Sequence, residues 1–161
     1  MHPSRFALAC AAVLLAAAAP SKPQTGTPVA LQAQPGTPLD QAARQLVADD
    51  LAAATARGDR PLVLIGSARL GGDRPALFVQ LQSPKECGSA GCTTSVYAYR
   101  NGGWTRVLDS AAGRLTVASS RTHGMADLIA NDERYVWTGT AYRSTRPAPA
   151  VDVRPRRPRQ R

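Results

Sequence analysis

Thr93-Thr94-Ser95-Val96-Tyr97-Ala98-Tyr99-Arg100, then Asn101-Gly102-Gly103, then Trp104-Thr105-Arg106-Val107-Leu108-Asp109, decides the fold class. Two runs rich in β-branched and aromatic residues flank a turn signal, and Asn-Gly accepts the positive φ that a tight hairpin turn demands. Upstream, Ala76–Gln82 alternates: Leu77, Val79 and Leu81 take one face and Phe78, Gln80 and Gln82 the other, as in a half-buried strand. Pro61–Ala68 is a short apolar run, closed by the turn Leu70-Gly71-Gly72-Asp73. Downstream, Arg114–Ser120 is a strand candidate. Leu128–Ala130 and Tyr135–Thr138 flank the turn Asn131-Asp132-Glu133-Arg134, and a last short strand lies near Tyr142. The spacing predicts about six to eight short strands in an antiparallel meander, curled into a half-barrel or small sandwich.

Ahead of the strands the period is helical. Thr37 can cap, Pro38 suits a first helical turn, and Asp40 faces the positive end of the helix dipole. Leu39, Ala43, Leu46, Val47, Asp50, Leu51 and Ala54 follow helical spacing, all but Asp50 apolar, and Gly58 is a natural stop. A single amphipathic helix from about Pro38 to Arg57, packed on the meander, makes the expected class α+β.

The ends have other compositions. Met1–Arg5 carries one positive charge, and an apolar run follows from Phe6 to Ala19. Residues 1–19 read as a signal peptide, because the run is shorter than the roughly 20 residues of a membrane span. No transmembrane segment is expected after cleavage, and the location expected is periplasmic or secreted. Residues 20–36 form a Pro-rich linker, and residues 37–144 the helix and β-rich domain. Residues 145–161 form an Arg- and Pro-rich tail with little to bury, expected to be disordered. The formal net charge of the 161 residues is +9, and the tail alone contributes +5. A basic tail of this kind suits a polyanionic envelope surface; export argues against nucleic acid.

Cys87-Gly88-Ser89-Ala90-Gly91-Cys92 is the sharpest local feature. Two cysteines in an exported domain point to a disulfide, and the glycines let a short loop bring them together. Ser89 and Ala90 would sit at the tip. Tyr97, Tyr99 and Trp104 offer an aromatic surface for a partner, Tyr97 and Tyr99 sharing a strand face. His123 and Asp127, four residues apart, can orient an imidazole for general-base work beside Ser119 or Ser120, but no G-x-S-x-G elbow accompanies them. The sequence implies no cofactor and no metal site, since zinc asks for four ligands and the domain offers only His123 beyond the cysteine pair.

Ala76–Gln82, the Cys87–Cys92 loop, Tyr97, Trp104, His123-Gly124, Asp127-Leu128 and Tyr142-Arg143 together resemble small uncharacterised exported proteobacterial proteins. Those carry a C-G-x-x-G-C loop, an H-G-x-x-D-L segment and a closing aromatic strand. The resemblance covers roughly residues 60–143 and implies no activity. The reading is a binding module rather than an enzyme, an inhibitor or envelope-associated protein whose partner is a protein or an envelope glycan. Two alternatives stand beside it. One is a small hydrolase or redox protein using His123 and Asp127 or the cysteine pair; the other is an envelope tether acting through the tail.

Overall fold

The computed structural model describes residues 25–146. The signal expected over 1–19 and nearly all of the tail lie outside the described residues. In chain order the elements are β1 (Gly26–Pro28), α1 (Pro38–Leu46), α2 (Ala48–Ala56), β2 (Leu62–Gly71), β3 (Arg74–Gln82), β4 (Cys87–Gly88), β5 (Gly91–Arg100), β6 (Gly103–Ala112), β7 (Leu115–Thr122), β8 (Met125–Ala130), β9 (Glu133–Trp137) and β10 (Tyr142–Ser144).

The α+β expectation is corrected. The chain is mainly β, with two antiparallel sheets and two short helices rather than one helix on one meander. Sheet A runs β1-β7-β8-β9-β10; sheet B runs β2-β3-β5-β6, with β4 paired to the start of β5. The meander is divided at Gly113, which has φ +90 and joins β6 to β7. A Cβ there would lie 2.5 Å from Asn131 Oδ1, and its N–H donates to the Cys92 carbonyl at 3.1 Å. Only glycine fits so sharp an exit from one sheet into the other.

The helix expected over Pro38–Arg57 is broken at Val47, whose φ −114 and ψ 23 are not helical. Thr37 Oγ1 caps α1 by accepting from the Asp40 N–H at 3.1 Å, as its residue type leads one to expect. At the other end the Leu46 carbonyl accepts from the Tyr97 hydroxyl at 3.3 Å. Carbonyls in a last turn are open to partners outside the helix, so a contact with sheet B accompanies the break.

Two cores follow from the two-sided burial of sheet B. Leu70, Phe78, Val96, Val107 and Leu108 of sheet B meet Leu115, Leu128, Tyr135, Trp137 and Tyr142 of sheet A between the sheets. On the other side of sheet B, Val63, Ile65, Leu77, Val79 and Tyr97 pack under Ala43 and Val47. The half-buried reading of β3 is therefore corrected: Leu77 and Phe78 are both fully buried, because β3 is an inner strand covered on both faces.

The described part of the 20–36 segment is extended and tied down at two places. Residues 26–28 pair with β7, and Gln32 exchanges both backbone hydrogen bonds with Ile65 of β2 at 2.9 Å. This strap covers one edge of each sheet, and a Cβ on Gly66 would lie 2.5 Å from the Ala30 carbonyl beneath it. At the far edge of sheet B, β6 carries register shifts opposite Thr94–Tyr97. Bulges of that kind make an edge strand a poor template for a further strand.

Candidate functional site

The helices cover sheet B incompletely. Between α2 and the open half of that face lies a groove of about 350 Å³. Val47, Ala53, Val79 and Leu81 give it apolar surface, while Thr93, Ser95 and Ser110 bring hydroxyls from β5 and β6. Three carboxylates, Asp50, Glu86 and Asp109, and two guanidiniums, Arg57 and Arg106, complete the lining.

Strand alternation places Tyr97 on this face and the β5–β6 pairing sets Arg106 opposite it. Arg106 Nη2 and Nε donate to the Tyr97 hydroxyl at 2.8 and 3.0 Å, with the guanidinium 5.3 Å over the tyrosine ring. Nη1 donates to Asp109 at 2.8 Å, and Nη2 reaches Asp50 of α2 at 3.4 Å. Burial pushes the Tyr97 hydroxyl above its ordinary value of 10.0, against the opposing pull of Arg106. Burial works against the Arg106 charge, but its bonds to Tyr97 and Asp109 prevail, so it stays protonated.

The other end of the groove is closed by a compact turn. The Ser83 carbonyl accepts from the N–H groups of Glu86 and Cys87, and its hydroxyl donates to Asp59. Arg57 pairs with Glu86, and Lys85 Nζ donates to the Arg57 carbonyl at 2.8 Å. The disulfide Cys87–Cys92 follows at once, with Cα atoms 4.0 Å apart across the β4–β5 pair. The expected bridge is thus present, with Ser89 and Ala90 exposed at its tip.

The aromatic candidates separate. Tyr97 is only 2% exposed and belongs to the core under the helices, where it holds the groove residue Arg106, rather than offering a free contact. Tyr99, 43% exposed, stacks edge-on to the half-buried Trp104 at 5.3 Å. That pair sits at the far end of β5 from the disulfide, about 23 Å away along a strand of seven steps, so the structure does not gather the loop and the aromatic pair into one surface.

Nor does it join His123 to Asp127. His123 (φ +50) and Gly124 (φ +80) make the two-residue turn between β7 and β8, and the imidazole is exposed. Asp127 is fully buried, accepting from Ser120 Oγ at 2.6 Å and Arg134 Nη2 at 2.5 Å, and its Oδ1 has no partner. Burial raises the Asp127 carboxyl, but the side chains of Ser120, Thr122 and Arg134 outweigh it and hold the group below its ordinary 3.8. Among the described residues no three His, Cys, Asp or Glu side chains are placed to hold a metal.

Sequence reasoning missed Arg106, Asp50, Arg57 and Glu86. Each is an ordinary surface charge in the sequence, and only pairing across 29 to 56 positions gives it a place. The chain matches no protein-family model, no curated protein and no solved structure. No helix among the described residues is long and apolar enough to cross a membrane.

Proposed function

We propose that this chain is an exported binding module whose binding surface is the groove between α2 and sheet B. One observation carries the reading: apolar side chains ringed by hydroxyls and charges, on a sheet buried on both faces and beside a disulfide loop. Preformed concave sites with a few placed polar groups are where ligands bind. Both guanidiniums are already paired and carboxylates outnumber them, so the groove suits an uncharged or basic segment of a protein or an uncharged envelope glycan, and not a polyanion. Export is supported by the signal-like residues 1–19 and by the disulfide, which persists in oxidising compartments.

The test is capture from the producer's envelope and secreted fractions, using the mature chain, a version ending at Ser144, and the groove variants Ala53→Arg and Ser110→Arg. Ala53 and Ser110 are exposed, so both variants should fold. A partner held by both unaltered baits and lost with both groove variants supports the reading. Capture that ignores the groove variants but falls with Tyr99→Ala or Trp104→Ala moves the site to the aromatic pair. Capture only by the full-length bait and lost at raised salt favours the tail.

A further inference from the structure

The Cys87–Cys92 disulfide stands where a change in one bond alters one wall of the groove. On one side, Cys87 ends the Ser83–Glu86 turn, which is moored to the end of α2 by Arg57–Glu86 and by Lys85 on the Arg57 carbonyl. On the other, Cys92 begins the stretch of β5 that supplies Thr93 and Ser95 to the groove. The Cys92 carbonyl accepts from Gly113 N–H at 3.1 Å and from Gln80 Nε2 at 3.4 Å. The disulfide is therefore a cross-link inside the loop from β3 to β5, joining the Ser83–Glu86 turn to the start of β5.

Three features distinguish it from a staple of the core. Neither cysteine belongs to either hydrophobic cluster. Both are half-buried rather than buried and the loop between them is exposed, which puts the bond near the surface, where thiol–disulfide exchange takes place. Apart from the cysteines, β4 contributes one further pair, Gly88 with Gly91, too little to hold a hairpin by itself. The turn is otherwise held by the Arg57–Glu86 ion pair, with Arg57 half exposed, by Lys85 on the Arg57 carbonyl and by the Ser83 hydroxyl on Asp59, of which the exposed ion pair is a weak tie.

We propose that Cys87–Cys92 is a redox latch on the groove, an inference that rests on the groove being the binding surface. A dithiol reductant, such as the reduced site of a thiol–disulfide oxidoreductase, attacks one sulfur through its thiolate. A mixed disulfide forms and the other cysteine leaves as a thiolate. The reductant's second thiol then displaces the first cysteine. Two electrons and two protons pass to Cys87 and Cys92, and the reductant leaves as a disulfide; oxidation by a protein disulfide reverses the exchange. In the dithiol state the lip over residues 83–92 comes away from sheet B and the groove opens, while the sheets and both cores stay folded.

The experiment is native-state hydrogen exchange on the full chain, before and after titration with dithiothreitol. Alkylation mapping follows Cys87 and Cys92 separately from Cys10, and Cys87→Ser/Cys92→Ser serves as a reduced mimic that needs no reductant. The expected result is reduction under native conditions with about tenfold faster exchange over residues 83–92, unchanged protection in β2, β3, β7 and β8, and the same pattern in the double variant. Unchanged exchange over 83–92 in both would overturn the latch. Loss of protection throughout the sheets would also overturn it, since the bond would then be a structural staple. If the lip opens as expected but capture of the partner ignores Ala53→Arg and Ser110→Arg, the latch stands and the groove as binding surface fails.

Discussion

Arg106 and Tyr97, opposite each other on neighbouring strands, are joined by two hydrogen bonds onto a single phenolic oxygen, which itself donates to the Leu46 carbonyl. One hydroxyl thus connects α1, β5 and β6. Tyr97→Phe removes three hydrogen bonds and leaves part of the guanidinium unpaired. The expected cost is about 1–3 kcal/mol, measured by denaturant unfolding, with a looser α1–α2 junction seen in the exchange of Val47 and its neighbours. A variant as stable as the parent would mean that the network contributes nothing.

The same burial has an alkaline signature. Burial raises Tyr97, Tyr135 and Tyr142 above the ordinary 10.0. A folded-state pKa above the unfolded one stabilises the protein fully below pH 10 and is lost as pH rises through the folded value. Tyrosinate absorbance should therefore appear for these three only at higher pH than in the unfolded chain, and stability should fall from about pH 10 upward. Ionisation of all four tyrosines together at the unfolded value would contradict this.

Acid acts through Asp40 and Asp127. The Arg44 hydrogen bond holds Asp40 below its ordinary 3.8, with help from the Gly36 N–H and against burial; Asp127 is held down as described above. Both contribute stability above that value and lose it as pH falls through their lower folded values. Asp127→Ala removes the buried acceptor of the partly exposed Arg134 and the exposed Ser120, at an expected cost of about 1–3 kcal/mol. It should also flatten the acid limb of the stability profile.

His123 is expected to behave as a turn residue. Its φ of +50 disfavours a bulky side chain, so His123→Asn should leave stability equal or raise it by about 0.5 kcal/mol. A hydrolytic activity abolished by this change with the fold intact would instead establish a catalytic imidazole.

Gly113→Ala tests the point where the chain changes sheets. A methyl group at φ +90 against Asn131 should cost at least about 1–3 kcal/mol. Asn131→Ala in the same chain should recover part of that loss, because it removes the atoms that the methyl strikes.

The sequence by itself determined what short-range chemistry controls. Asn101-Gly102 sits in a tight turn at positive φ, and Thr37 caps a helix, because each depends on the residue and its immediate neighbours. The Cys87–Cys92 pairing was legible because four intervening residues, two of them glycine, leave the thiols close in any turn. Whether the strands form a half-barrel or two sheets, and where the chain passes from one to the other, was not legible, since periodicity shows that a strand has faces but not which strand lies beside it or what covers each face. Phe78 and Leu77 alternate alike in either arrangement, and only packing made both faces of β3 interior. The groove was likewise decided by tertiary structure: Asp50 meets Arg106, and Arg57 meets Glu86, because sheet B carries α2 above it. Charges separated by tens of residues acquire partners only when the backbone between them has folded, and nothing in their local sequence records that outcome.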